Sequence, residues 1–159
     1  MANVEFEDFS ANVEDLMSEL LGNALEEIGA EISSQAARNT RVSSGETKRK
    51  WDYFVTQNNE KASVTIGNPL ENAIWEEFGT GEYALNGDGR KGGWYIVADS
   101  APELAKYNMK VVYGKDGKKF YYTKGKPPSR ALYKAWEQNK SKVQEHIGNV
   151  LKELSKEWF

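Results

Sequence analysis

The first part of the chain repeats its apolar residues at helical spacing. Between Ser10 and Asn39 they recur at steps of three and four, which is typical of an amphipathic helix with one buried face. These residues are Val13, Leu16, Met17, Leu20, Leu21, Ala24, Leu25, Ile28 and Ile32. Gly22 and Gly29 each weaken a helix by about 1 kcal/mol relative to Ala, but they permit a bend or the close approach of a neighbouring element. We predict a helix that ends by Thr40.

The apolar spacing then changes to that of β-strands. Trp51–Gln57 is rich in aromatic and β-branched residues, and apolar and polar residues alternate in Ala62–Ile66. Residues 57–60, Gln-Asn-Asn-Glu, are predicted to connect these two strands as a hairpin. Pro69 ends the second strand, because proline cannot donate a hydrogen bond to a β-ladder.

A second hairpin is predicted at Met109–Thr123. Its strands, Val111–Tyr113 and Phe120–Tyr122, flank the sequence Gly-Lys-Asp-Gly. Asp116-Gly117 supplies the residues that tolerate the positive φ angles of a tight hairpin turn. Between the two hairpins, Glu82–Gly93 contains four glycines and few apolar residues, so we predict a flexible loop unless a partner orders it.

The C-terminal part of the chain returns to helical spacing. Pro127-Pro128-Ser129 indicates the start of a helix, with Ser129 as its N-cap. The apolar stripe consists of Leu132, Ala135, Trp136, Val143, Ile147, Val150, Leu151, Leu154 and Trp158. The predicted fold class is α+β, an antiparallel β-sheet of two hairpins packed by long N-terminal and C-terminal helices. We predict a single domain over residues 1–159.

Composition narrows the class of protein. The chain has 159 residues, of which 39% are hydrophobic and 28% charged, which are ordinary values for a soluble globular protein. It contains no cysteine, which excludes disulfides and thiolate metal sites. The first residues lack the basic end and apolar run of a signal peptide, and no apolar stretch is long enough to cross a bilayer. We expect a soluble protein made in the cytoplasm, with no membrane partner.

Charge is distributed unevenly along the chain, although the net charge is only −3. Residues 1–37 contain nine Asp and Glu and no Lys or Arg, whereas residues 84–142 contain thirteen Lys and Arg against five Asp and Glu. The acidic residues of 1–37 and the basic residues of 84–142 are each consistent with a solvent-exposed surface. They also fit a subunit with an acidic and a basic side, which suits the heterologous contact of a closed ring. Nucleic-acid binding is less favoured, because the overall balance is acidic.

Catalytic and cofactor sites find little support in the sequence. His146 is the only histidine, and it lies in the C-terminal helical pattern without the positioned partner that base catalysis needs. The glycine-rich run at residues 87–93 lacks the Gly-Lys-Ser/Thr of a phosphate-binding loop. Glu76 and Glu77 are adjacent, so on a helix or strand they point in different directions. We predict no catalytic residue, no metal and no cofactor.

Aromatic residues are numerous, with five tryptophans and eight tyrosines. Most are expected in the core, because aromatic side chains bury large areas. We predict exposure for Trp94, Tyr95, Tyr121 and Tyr122. A protein partner is their favoured target, because interfaces are enriched in Tyr and Trp, and stacking on bases or sugars is the alternative.

Three segments, taken in order, resemble the bacteriophage head–tail joining, or tail-completion, protein family. Ala73–Gly81, with the sequence Ala-Ile-Trp-Glu-Glu-Phe-Gly-Thr-Gly, resembles the family signature YA-x-x-x-E-F/Y-G-T. Val42–Lys50 resembles the P-V-x-T-G-x-L-x-x-S segment between the first helix and the first strand. Gly125–Ala135 resembles the P-x-R-F/P-F-L-x-x-A entry to the last helix. The order and spacing of the three segments agree with the family.

The resemblance implies a structural virion protein of a long-tailed bacteriophage, and not an enzyme. The small α+β subunit would form a homo-oligomeric ring, a hexamer, at the head-proximal end of the tail. The ring would join the tail-tube or tail-terminator protein to the head–tail connector and neck proteins, and DNA would pass through it without sequence-specific binding. The protein is expected in the tail or neck of the virion after synthesis in the host cytoplasm.

The predicted interface residues belong to the Gly-Thr-Gly bend with the residues before it, to the aromatic pair after the loop, and to the entry to the last helix. They are Trp75, Glu76, Glu77, Phe78, Gly79, Thr80, Gly81, Trp94, Tyr95, Pro127, Pro128 and Arg130. Two other classes of function stay open. One is a nucleic-acid or carbohydrate binding module that uses the basic aromatic middle region, and the other is a small hydrolase that uses Glu76 or Glu77.

Overall fold

The computed structural model describes residues 10–41, 45–58 and 61–156. The main elements follow in the order α1 (Ser10–Asn39), α2 (Glu46–Arg49), β1 (Asp52–Gln57), β2 (Ala62–Gly67), α3 (Glu71–Phe78), β3 (Trp94–Val97), β4 (Lys110–Tyr113), β5 (Lys119–Thr123) and α4 (Ala131–Lys156). The α+β fold class is therefore confirmed. The chain divides into two compact units, the first formed by Met1–Pro69 with Ala131–Phe159 and the second by Leu70–Arg130. That the whole chain is a single domain stays a prediction.

Helices α1 and α4 form the antiparallel pair at the centre of the first unit. The Lys142 ammonium of α4 pairs with the Glu31 carboxylate of α1, and one turn further on His146 Nδ1 lies 3.1 Å from the Glu27 carboxylate. The core of this seam consists of Ile28, Ile32, Ala36 and Ala135, with Trp51, Val64, Ile66, Leu132 and Val143 packed against it. Small side chains at the seam allow the two helix backbones to approach closely.

The β1–β2 hairpin packs on α1 within the same unit. The two strands are antiparallel, with Asp52 opposite Gly67 and Gln57 opposite Ala62. The Tyr53 ring of β1 lies so close to α1 that a β-carbon at Gly29 would overlap it. The close approach expected at this glycine is therefore confirmed. It positions the hairpin directly on the helix surface.

Local hydrogen bonds fix the end of α1. The Thr40 hydroxyl donates to the Ala36 carbonyl (2.7 Å) and accepts from the Trp51 indole N–H (2.7 Å). The helix ends at Asn39, as predicted from the sequence. The predicted hairpin connection at 57–60 and the segment Val42–Lys50 lie partly outside the described residues, and Trp158 lies wholly outside them.

The second unit contains a three-stranded antiparallel sheet with the strand order β3-β5-β4. The β4–β5 hairpin is the one predicted, and Gly117 has the expected positive φ of 79° in its turn. Both predicted hairpins are therefore present, but they lie in two sheets instead of one. The β1–β2 hairpin is a separate two-stranded sheet, and β3 adds a third strand to the other hairpin.

The structure adds one element and corrects two expectations. Residues 71–78 form helix α3, which the sequence pattern did not predict. Helix α4 begins at Ala131, and the backbone N–H and hydroxyl of Ser129 both donate to the Glu76 carbonyl, so Ser129 is tied to α3 and is not the N-cap. Tyr121, at the centre of the middle strand β5, is buried and not exposed.

Substitution of two helix glycines separates backbone propensity from packing. We expect Gly29→Ala to lower the free energy of unfolding by about 1–3 kcal/mol, because the new methyl group overlaps the Tyr53 ring. Gly148→Ala in α4 should raise it by about 1 kcal/mol, because a β-carbon there meets no atom within 4 Å. Urea denaturation of both variants measures the difference. Equal effects at the two positions would contradict the close approach at Gly29.

Candidate functional site

All twelve predicted interface residues lie in the second unit. They occupy three places: the C-terminal half of α3 with the bend that follows it, strand β3, and the segment between β5 and α4. The structure brings the first and third of these together through hydrogen bonds. Strand β3 is connected to them through the 82–93 loop.

Helix α3 presents most of its apolar side chains to solvent. Glu71 lies in the first turn, where a negative charge stabilises the helix, and Ala73 is its buried residue. Trp75 is 47% exposed and Phe78 is 45% exposed, and Ile74 is also exposed. Helix α3 therefore buries one small residue and exposes three large apolar side chains. Exposed apolar patches of this kind mark interaction surfaces.

Gly79 ends α3 and turns the chain away from the helix axis. Its N–H donates to the Trp75 carbonyl (2.9 Å), and its φ is 75°, a value that residues with a β-carbon rarely adopt. A β-carbon there would lie 2.9 Å from Pro128 Cδ and 3.0 Å from the Lys126 carbonyl oxygen. The bend therefore needs glycine for both its conformation and its close packing.

The bend is joined to the segment before α4 by paired backbone hydrogen bonds. Thr80 N–H donates to the Lys126 carbonyl (2.9 Å), and Lys126 N–H donates back to the Thr80 hydroxyl (2.9 Å). Glu82 N–H donates to the Lys124 carbonyl (2.8 Å). We call this pairing of Thr80–Glu82 with Lys124–Lys126 the clasp. It connects segments more than forty residues apart in the sequence.

Two glycines face each other across the clasp. Gly81 has a φ of 61° and Gly125 a φ of 112°. A β-carbon on Gly81 would overlap the Lys124 carbonyl, and one on Gly125 would overlap the Thr80 carbonyl. The absence of both side chains is what lets the two backbones meet.

Glu76 ties the other end of the segment to α3. Its carboxylate pairs with the Lys126 ammonium, and its carbonyl accepts from Ser129 N–H (2.6 Å) and from the Ser129 hydroxyl (2.9 Å). Pro127 and Pro128 are held between these anchors, with Pro127 exposed. Arg130, which follows them, is the non-glycine residue with a positive φ (55°) in the described part of the chain.

The loop at 82–93, predicted to be flexible, has several internal contacts. The Glu82 carboxylate pairs with the Lys124 ammonium (3.2 Å) and accepts from Gly92 N–H (3.3 Å). The Tyr122 hydroxyl donates to the Gly92 carbonyl (3.1 Å). The hydrogen-bonded Glu82 carboxylate raises the pKa of Lys124. These contacts connect the clasp to the sheet, and the mobility of the loop stays a prediction.

Strand β3 carries the two aromatic residues predicted at the interface. Tyr95 is 60% exposed, and its ring centroid lies 5.2 Å from that of Tyr122 on β5. Trp94 is half-buried, with the Arg90 guanidinium 5.6 Å from its ring. Lys110 and Lys119 lie over the Tyr122 and Tyr121 rings at 6.0 and 5.1 Å. The sheet therefore combines aromatic rings with cations on both faces.

Sequence reasoning missed the partners that hold the bend. Lys124, Gly125 and Lys126 were not predicted as site residues, although Gly125 and Lys126 lie in the third family-like segment. A glycine in each of two distant segments is the signal that could have indicated a backbone-to-backbone contact. Spacing along the chain gives no information on which glycines meet.

No group of three or more His, Asp and Glu residues in the described part of the chain is arranged to hold a metal ion. His146 lies in α4, beside Glu27. None of the described helices is long and apolar enough to cross a membrane. Of the carboxylates considered for hydrolysis, Glu76 is engaged by Lys126.

Substitutions at two glycines with positive φ test the clasp. Gly81→Ala should lower the free energy of unfolding of the second unit by about 3 kcal/mol, because backbone strain of about 1–2 kcal/mol adds to overlap with the Lys124 carbonyl. Gly117→Ala has a similar φ of 79° but meets no atom within 4 Å, so only the strain should remain. Urea denaturation measures both. Equal losses would show that the clasp is not closely packed.

Hydrogen exchange tests the anchor of the 82–93 loop. Glu82→Ala should speed exchange of the loop amides by about fivefold, since it removes the ion pair with Lys124 and the hydrogen bond from Gly92 N–H. Asp88→Ala, which removes another carboxylate of the same loop, should leave the exchange rates unchanged. If the wild-type loop already exchanges at unprotected rates, the anchor is not formed and the predicted flexibility is correct.

Comparison of the chain with protein-family models, with curated protein sequences and with solved structures found no match. The role of the site is therefore inferred from its own residues and geometry.

Proposed function

We propose that this protein is a structural subunit of a long-tailed bacteriophage, forming a ring at the head-proximal end of the tail. The ring joins the tail-tube or tail-terminator protein to the neck and connector, and DNA passes through it without sequence-specific contacts. The subunit acts by binding copies of itself and its neighbours, and not by catalysis. The copies number six if the resemblance to the tail-completion family extends to the assembly.

The clasp is the observation that carries this proposal. Two of the three family-like segments, Ala73–Gly81 and Gly125–Ala135, meet in it through the Thr80–Lys126 pair. The resemblance to the family is a stronger argument when the segments that carry it contact one another in the structure. Motifs matched by chance have no reason to share hydrogen bonds.

Exposed aromatic and apolar groups around the clasp support a binding role. Trp75 and Phe78 extend from α3, next to the bend, and Tyr95 extends from β3. Interfaces between proteins are enriched in aromatic residues, and a few buried anchors of this kind supply most of the binding energy. The hydrogen bonds of the clasp hold the bend that follows Trp75 and Phe78, which lowers the entropic cost of binding at these two residues.

The two units differ in charge, which supports contact between unlike surfaces. Residues 1–69 with 131–159 contain 11 Lys and Arg against 16 Asp and Glu, a net charge of −5. Residues 70–130 contain 10 Lys and Arg against 8 Asp and Glu, a net charge of +2. A closed ring needs two different surfaces on each subunit, and opposite charge favours their association.

Mass measurement and electron microscopy test the proposal. The purified chain should show concentration-dependent assembly by sedimentation, with closed rings in micrographs or decoration of phage tail ends. Trp75→Ala should weaken this assembly or decoration at least tenfold, because it removes an interface anchor. Phe54→Ala removes an exposed aromatic residue of β1 outside the predicted interface and serves as the control. A chain that neither assembles nor binds tails at any concentration would refute the proposal.

A second candidate function is supported by the sheet of the second unit. Tyr95 and Tyr122 form an aromatic pair with Lys110 above the Tyr122 ring, an arrangement that also stacks on bases. A nucleic-acid binding module of this kind would bind single-stranded DNA as a monomer, with an affinity that falls steeply as salt is raised. Tyr95→Ala would then reduce the affinity for DNA without changing assembly.

A further inference from the structure

The β4–β5 hairpin carries positive charge around exposed apolar side chains. Residues 110–123 contain four lysines and one acid, Asp116, whose carboxylate is paired with Lys118 (3.1 Å). Tyr113 lies opposite Lys119, and Val111 lies opposite Tyr121, so Val111, Tyr113 and Lys119 share one face of the sheet. Tyr113 is 69% exposed. We call Val111, Tyr113, Lys115 and Lys119 the hairpin surface.

The first unit has a groove of the opposite charge. It lies between the N-terminal half of α1 and the tip of the β1–β2 hairpin, and encloses about 170 Å³. Glu14, Asp15 and Met17 line its helix side, and Met17 is 43% exposed. We call these three residues, with Ser18, the acidic groove.

Hydrogen bonds from the neighbouring hairpin fix the position of this groove. The Gln57 amide donates to the Ser18 carbonyl (2.7 Å) and to the Ser18 hydroxyl (2.6 Å). The described part of α1 has no cation before Arg38, so its carboxylates are not neutralised by neighbours on the same helix. One cation, Lys61, lies on the opposite wall. The groove therefore has a wall fixed by hydrogen bonds, an apolar residue (Met17) on its helix side and an excess of negative charge.

We propose that the hairpin surface of one copy docks on the acidic groove of the next copy in the ring. Tyr113 contacts Met17, an aromatic–thioether contact of the kind that stabilises interfaces. Lys115 and Lys119 approach Glu14 and Asp15 at the rim of this contact. This inference rests on the proposed ring, and it names the two unlike surfaces that a heterologous contact requires.

Charge and shape favour a second copy over a nucleic acid as the occupant. In the hairpin surface Val111 and Tyr113 are two residues apart on β4, with Lys119 opposite Tyr113 and Lys115 in the turn, so apolar groups lie beside cations, as at the edge of a protein interface. Every copy of the chain also carries the acidic groove, so the complementary surface is present at equal concentration. The net charge of the whole chain, −3, opposes general attraction to DNA.

Charge reversal on the full chain tests the proposal. Lys115→Glu with Lys119→Glu should weaken self-association about tenfold or more in sedimentation, and Glu14→Lys with Asp15→Lys should do the same, because each makes like charges face each other. An equimolar mixture of the two double variants should assemble as the wild type does. The chain that carries all four changes should also assemble as the wild type does. Both the mixture and this quadruple variant restore opposite charges across the contact.

The control reverses two lysines elsewhere. Lys134→Glu with Lys152→Glu alters the net charge equally but lies on α4, outside both surfaces, and should leave assembly unchanged. Circular dichroism checks that every variant is folded, and Tyr113→Ala, which changes no charge, should also weaken assembly.

The outcomes separate this inference from the proposed function. Rings that form normally from both double variants would overturn the docking contact and leave the ring proposal intact. Rescue in the mixture with only open chains in micrographs would support the contact and overturn the closed ring. Loss of duplex DNA binding from the Lys115→Glu, Lys119→Glu chain, with unchanged self-association, would overturn the contact in favour of nucleic acid.

Discussion

Close packing against residues with little or no side chain recurs in both units. In the first unit the hairpin reaches α1 because Gly29 leaves room for the Tyr53 ring, and α4 reaches α1 where Ala36 faces the same core as Ala135. In the second unit the clasp closes because Gly81 and Gly125 present no β-carbons to each other. Contacts of this kind tolerate no added methyl group, because protein interiors are already close-packed.

The clasp also explains why large apolar side chains stay at the surface. Its hydrogen bonds join main-chain atoms of Thr80, Glu82 and the 124–126 segment and the Thr80 hydroxyl, so the bend is stabilised without burying Trp75 or Phe78. The Glu76 carboxylate and carbonyl add two further ties to the same segment. Exposed aromatic groups on a rigid base are the arrangement that a docking surface needs, because the base limits the entropy lost on binding.

Charge is separated between the units, in addition to being uneven along the chain. The acidic first unit includes the carboxylates at the start of α1, and the basic second unit includes the lysines of the β4–β5 hairpin. Within the second unit, carboxylates engage Lys118, Lys124 and Lys126. Lys115 and Lys119 lie outside these pairs, so the basic character of the hairpin is directed outward.

The sequence alone determined the elements whose signals are local. These signals are the apolar period of α1 and α4, the aromatic and β-branched content of β1, the alternation in β2 and the Asp116-Gly117 turn. Each lies within one short stretch of the chain. The helix α3 escaped prediction because its apolar residues do not form a buried stripe. The start of α4 was placed too early because Ser129 has the chemistry of an N-cap but bonds to Glu76.

Tertiary structure decided the features that depend on residues far apart. Strand β3 has four residues, too few for a clear period, and it becomes a strand by pairing with β5 about 25 residues later. Tyr121 is buried although Tyr122, its neighbour on β5, is only half-buried, a difference between the two faces that no local pattern reveals. The bend at Gly79–Gly81 was recognisable from its residues. Its partner segment, residues 124–126, could not be predicted, because hydrogen bonds made by backbone atoms depend little on residue type.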